Sequence, residues 1–165
     1  MLKKILKRAF QILLLAFIVI QFFRTEKNKS DVVSTNDIST KYAVPANIQT
    51  ILKTSCNDCH SNNTVYPWYA QVQPVTWWLN DHIKEGKKEL DFSQFANYSI
   101  RRQYKKLEEI NEQVKKNEMP LNSYLWVHKD ATLDNEQKLL LANWVTTLRD
   151  SIKANYPPDS LTRKK

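Results

Sequence analysis

The stretch Cys56-Asn57-Asp58-Cys59-His60 holds the only two cysteines of a 165-residue chain and sets a histidine directly behind the second. Two thiols one helical turn apart can form thioethers with the two vinyl groups along one edge of a porphyrin. The adjacent imidazole then lies under the iron as its proximal ligand. C-x-x-C-H therefore points to haem c, one per chain, held covalently by Cys56 and Cys59 and ligated by His60. A structural zinc site would need two further ligands, and the remaining histidines, His82 and His128, lie too far apart to form a ligand pair. A thioredoxin-like dithiol would sit in a βαβ pattern, whereas the residues on either side of the motif read as helix and loop.

With a single glycine, Gly86, and several long apolar-periodic segments, the chain reads as all-α. The formal charge of +8 is concentrated at the start, where residues 1–30 carry seven basic side chains against one acid. Nearly balanced charge elsewhere leaves no basic stripe for nucleic acid. Lys3, Lys4, Lys7 and Arg8 precede an apolar run from Ala9 to Phe23, broken only by Gln11 and Gln21. The pattern suits an envelope-targeting segment, and the bulky Gln21-Phe22-Phe23-Arg24 end makes a poor cleavage site. Residues 1–23 are therefore expected to be an uncleaved signal anchor, a single transmembrane helix. Haem c is attached outside the bacterial cytoplasmic membrane, so the residues that follow are expected on the periplasmic side, anchored in the inner membrane.

Residues 24–43 are polar and without periodicity, as a flexible linker would be. A haem domain is expected over residues 44–155. Pro45 opens a helix whose stripe Ile48, Ile51 and Leu52 delivers the cysteines to the haem edge. Pro74 opens a second helix, carrying Trp77, Trp78 and His82, that stops at Gly86. The aromatics between Tyr66 and Trp78 suit the walls of a haem pocket. Ser99 caps a third helix reaching Asn117, on which Lys105, Lys106, Lys115 and Lys116 read as a solvated face. Thr132 or Asp134 caps the last, which runs to Asn155 with Leu140, Leu141, Trp144, Val145, Leu148 and Ile152 inward. Pro157-Pro158 ends that helix, and residues 156–165 read as a disordered tail.

A haem iron that carries electrons is usually six-coordinate. Met119, the only methionine besides Met1, follows a helix and precedes Pro120, which makes it the candidate for the second axial position. His82, His128 or an open position are the alternatives.

Cys56 to Phe92, followed by Glu118-Met119-Pro120-Leu121, Tyr124, His128 and Ala131, resembles the small bacterial haem-binding domain family. Its members are cytochrome c-like and often membrane-anchored. The resemblance implies haem attachment at Cys56 and Cys59, proximal ligation by His60 and distal ligation by Met119. The chain departs from the family pattern at Lys87 and Asp91, where Arg and Asn are commoner. The expected function is one-electron transfer in the periplasm by a membrane-anchored monohaem protein that is a carrier rather than an enzyme, with redox partner proteins that the residues do not name. The alternatives are a haem-based sensor or peroxidase-like enzyme with an open distal site, and a dithiol oxidoreductase using Cys56 and Cys59.

Overall fold

Helices form where the apolar period of 3.6 residues predicts them. In the computed structural model, which describes residues 1–162, there are helices and turns and no strand. The order is α1 (Leu2–Ile20), α2 (Ile38–Lys41), α3 (Ala46–Ser55), α4 (Asn57–His60), α5 (Val75–Glu89), α6 (Ile100–Lys115), α7 (Asn122–Leu125), α8 (Asn135–Asn155) and α9 (Pro158–Leu161). Three 3-10 turns lie between them, at Trp68–Gln71, Phe92–Asn97 and Lys129–Ala131.

The two longest helices of the domain, α6 and α8, pack side by side, and α3 lies against α8. Ile48, Ile51 and Leu52 from α3 share one core with Leu107, Ile110 and Val114 from α6 and with Leu141, Trp144, Val145, Leu148 and Ile152 from α8. The caps are local and form as expected. Ser99 Oγ accepts from Arg102 N, and Asp134 makes a reciprocal capping box with Gln137. One core position of α6 is polar. Gln103 is fully buried, donates to Tyr98 O at 2.6 Å and accepts from Tyr42 Oη at 2.6 Å. Burial, with the nearby Tyr156 second, pushes the Tyr42 hydroxyl up to about 12.

Four expectations change. First, no helix among the described residues is long and apolar enough to cross a membrane, so residues 1–23 do not form the expected transmembrane helix. Four basic residues occupy the first two turns of α1, and its uncharged part, Ala9 to Ile20, spans only about 18 Å. That is well short of the roughly 30 Å of a bilayer's hydrocarbon core.

Second, residues 24–43 are not a free linker. Asn28 Nδ2 donates to Ser61 O at 2.8 Å and to Thr64 Oγ1 at 2.9 Å, and its backbone N donates to Tyr66 Oη at 2.7 Å. Ala96 N donates to Asn36 O at 2.9 Å. Ile38 enters the core at 3 % exposure. The polar side chains that made this segment look like a linker are the ones that bind it to the domain.

Third, α5 runs past Gly86 to Glu89. Fourth, the end of the chain folds back. Pro158 starts α9, which packs against α6 and buries Leu161. Of the expected tail, residues 163–165 lie outside the described residues.

Candidate haem site

The C-x-x-C-H motif is a single turn of helix, α4, wedged between α3 and α5. Gly86 explains how closely α5 can lie on it. A Cβ at Gly86 would stand 2.7 Å from the Cys59 carbonyl oxygen and 3.1 Å from Cys59 Cβ. The only glycine in the chain is thus a place of close approach rather than a helix end.

That approach sets His60. Its Nδ1 lies 3.0 Å from Gly86 O and 2.9 Å from Leu90 O. Carbonyl oxygens only accept, so Nδ1 carries the proton and Nε2 holds the free lone pair. Nε2 has no partner among the described residues. A ring pinned at Nδ1 by backbone carbonyls, with Nε2 unengaged, is the arrangement of a metal-binding histidine. Phe92 braces the ring edge-on, with centroids 6.4 Å apart.

Asp58, between the cysteines, ties the motif to its surroundings. Its carboxylate accepts from Val65 N at 2.8 Å and from Tyr124 Oη at 2.7 Å, and its backbone O accepts from Thr64 Oγ1 at 2.6 Å. Burial, followed by the Asp58 hydrogen bond and charge, raises the Tyr124 hydroxyl far above its ordinary value. The loop after His60 is closed from below by Lys87, whose Nζ donates to Asn62 Oδ1 at 2.6 Å and to Asn28 Oδ1 at 3.0 Å. Asp91 lies 3.7 Å from the same ammonium. The Lys–Asp pair makes a polar bridge beside the loop that follows His60.

A cavity of about 320 Å³ opens beside α4, with Cys56, Cys59, His60, His82, Met119 and Tyr124 on its wall. A second hollow of about 490 Å³ shares Cys56, His60 and Met119 with it and extends to Phe92, Ile110 and Val114. Volumes of this size suit a flat cofactor. The structure therefore brings Cys56, Cys59, His60 and Met119 to one place, with Met119 also resting against the core. His82 reaches the first cavity, with Nδ1 2.9 Å from Trp78 O and its ring 4.4 Å from the Trp78 ring. His128 lines neither hollow. It stacks on Tyr124 at 4.0 Å.

The two thiols are free and strongly desolvated. Burial, with the neighbouring Cys59 second, pushes Cys56 up to about 12. Burial, with Asp58 second, pushes Cys59 up to about 11.

Several residues of the site have roles that the chain's pattern did not reveal. Gly86 stood out as the sole glycine, but its role shows only once α5 is seen on Cys59. Asp58 is silent in the motif, and Tyr124 reaches it from 66 residues away. Three of the expected pocket aromatics serve elsewhere, while Trp78 packs against His82 of the cavity wall. Tyr66 accepts from Asn28, Trp77 Nε1 donates to Phe23 O at 3.0 Å, and Trp68 faces solvent.

The haem-binding domain family model matches residues 15–147, and the chain belongs to that family. No curated protein and no solved structure matches it.

Proposed function

From its membership of the haem-binding domain family, we propose that this chain is a c-type monohaem protein that transfers single electrons in the cell envelope. The observation that carries this reading is the fixing of His60. Its Nδ1–H is committed to Gly86 O and Leu90 O, so Nε2 is presented as a ligand without reorganisation. Cys56 and Cys59 on the same cavity would hold the porphyrin edge by thioethers, and Met119 would supply a sulfur ligand to the iron. Bound there, haem supplies a one-electron iron couple whose potential its axial ligands tune. The protein's part is to bury that group, orient His60 and exclude water with Pro120, Leu121 and Tyr124.

Haem c is attached outside the cytoplasmic membrane, so the reading includes export, with residues 1–23 as the targeting segment. α1 is too short in apolar length to cross. Its basic first turns suit contact with anionic headgroups, and its exposed apolar side chains suit the acyl region beneath them. The runner-up reading, a sensor or peroxidase-like enzyme, rests on His82, which would need to stand on the open side of the iron.

The test begins with the exported chain on a denaturing gel. Haem should stay with the protein, and Cys56→Ala with Cys59→Ala should remove it. Met119→Ala should keep the covalent haem, lose the weak red band of Met-ligated ferric haem, lower the reduction potential and admit cyanide at once. A double cysteine variant that still carries haem on the gel refutes attachment. A Met119→Ala protein with unchanged spectrum and potential refutes the sulfur ligand.

A further inference from the structure

Every residue of α1 from Leu2 to Val19 is exposed, including Leu2, Ile5, Leu6, Phe10 and the run from Ile12 to Leu15. An apolar helix so bare needs a cover. Its polar side chains indicate which. Lys3, Lys4, Lys7 and Arg8 stand at its start, and Arg24, Lys27 and Lys29 follow it. Among the described residues none of these seven is in an ion pair.

The end of α1 is clasped to the domain. Gln21 Nε2 donates to Gln73 O at 3.1 Å, and Gln73 N returns a bond to Gln21 Oε1 at 2.9 Å. Gln73 Nε2 and Trp77 Nε1 both donate to Phe23 O, at 2.9 and 3.0 Å. The domain end that meets α1 is therefore the start of α5 together with the turn Trp68–Gln71 packed against it. Apolar side chains stand outward there. Trp68 is 80 % exposed, Trp78 48 % and Val72 36 %. Nearby, Lys27 and Lys84, with the carboxylate of Glu26 among them, wall a groove of about 600 Å³ between the segment after α1 and α5.

We propose that this end of the domain, Trp68, Val72 and Trp78 with Lys27 and Lys84, rests on an anionic lipid surface continuous with the one that covers α1. The proposal builds on the reading of α1 as a lipid-bound helix and adds a fixed orientation. Tryptophan favours the headgroup level, where its ring is half apolar and its N–H can find a partner. The ammonium groups of Lys84 and of Lys27, the latter 5.7 Å from the Tyr66 ring centroid, favour anionic headgroups. Four hydrogen bonds between α1 and the domain hold both on the same side. The cavity wall at Asp81 and His82 follows one turn after Trp78, so the haem cleft opens close to the lipid.

The full haem-loaded chain is mixed with vesicles of phosphatidylcholine and phosphatidylglycerol, floated, and footprinted with hydroxyl radicals. Oxidation of Trp68 and Trp78 should fall roughly threefold or more on vesicle addition, while Tyr156, on the α8 side, is unchanged. Trp68→Ser with Val72→Ser should weaken vesicle binding by about tenfold and leave the absorption spectrum as it was. Flotation without protection of Trp68 and Trp78, or undiminished binding by the double variant, overturns the resting face and leaves α1 as a lipid-bound helix. No flotation overturns both. Protection that grows with protein concentration in the absence of vesicles means that a second copy covers this face, which also overturns the proposal.

Discussion

Gly86 carries two tasks at one position, since its missing Cβ lets α5 approach Cys59 and its carbonyl holds His60. Gly86→Ala gains helix propensity, up to about 1 kcal/mol. The added methyl would meet a backbone oxygen at 2.7 Å, however, and backbone cannot swing aside. Overpacking costs about 1–3 kcal/mol, so the variant should unfold at lower urea and attach less haem. A variant as stable as its parent would show that α5 can shift without cost. A second residue-scale test concerns Lys106, which the lysine-rich face of α6 suggested was solvated. Its side chain is 14 % exposed and bridges Glu109 at 2.6 Å and Glu89 at 3.2 Å. Burial pulls the Lys106 pKa down, but the hydrogen bonds to Glu109 and Glu89 outweigh it and leave the pKa raised. Burial works against Glu109 likewise, and the hydrogen bonds from Lys106 and Lys105 leave it lowered. The raised lysine contributes stability below its ordinary 10.5 that is lost as pH climbs through its folded value. The lowered glutamate contributes stability above 4.5 that is lost as pH falls. The stability gap between parent and Lys106→Met should therefore be widest near neutrality and shrink as pH falls below 4.5 and as it rises above 10.5. Urea unfolding at a series of pH values measures it.

At the scale of elements, the segment between α1 and α2 is the piece whose behaviour departs most from expectation. Asn28→Ala would remove the bonds to Ser61, Thr64 and Lys87 together. At about 0.5–1.5 kcal/mol for each bond, a loss of about 2–3 kcal/mol is expected in thermal unfolding. Faster proteolytic nicking between residues 24 and 36 should accompany it. Unchanged nicking would mean that the backbone bonds of Asn28 and Asn36 suffice. The reason such docking escapes a reading of the chain is distance. The partners of Asn28 lie 33 to 59 residues away, whereas Ser99 and Asp134 cap helices through residues three positions on. Ser99 and Asp134 were legible as caps because local rules govern them. The inward stripes of α3, α6 and α8 were legible because burial follows their period. The C-x-x-C-H motif stood out because its residues are contiguous, and the structure sets both cysteines and His60 on one cavity. Gly86 was misread because a helix end and a close approach leave the same mark, one glycine, and only the packed partner tells them apart. The membrane span failed on length, since an apolar run is not a span until a helix carries it far enough.

Over the whole molecule, the two hollows beside α4 separate the α3–α6–α8 core from α5 and α7. Residues such as Cys56, Met119 and Tyr124 are only half-buried there. A plate of apolar surface joined to both sides should knit them. The haem-loaded chain is expected to melt at least about 10 °C above the Cys56→Ala, Cys59→Ala chain, in line with ligand linkage of several kcal/mol. Calorimetry of the two proteins checks this, and equal melting temperatures would mean that the cleft is formed without its occupant.

The clasp at Gln21, Phe23 and Asn28 also bears on what a protease would leave behind. A cut in the exposed backbone near Val32 and Val33 would sever the chain without releasing the haem domain. The N-terminal fragment would stay attached through its bonds to Gln73, Trp77, Ser61 and Lys87 as a two-piece, non-covalent complex. Shedding would then be a dissociation equilibrium sensitive to temperature and denaturant, and a shortened chain starting near Lys41 would lack both that fragment and Ile38. Such a chain would behave as an unfinished fold.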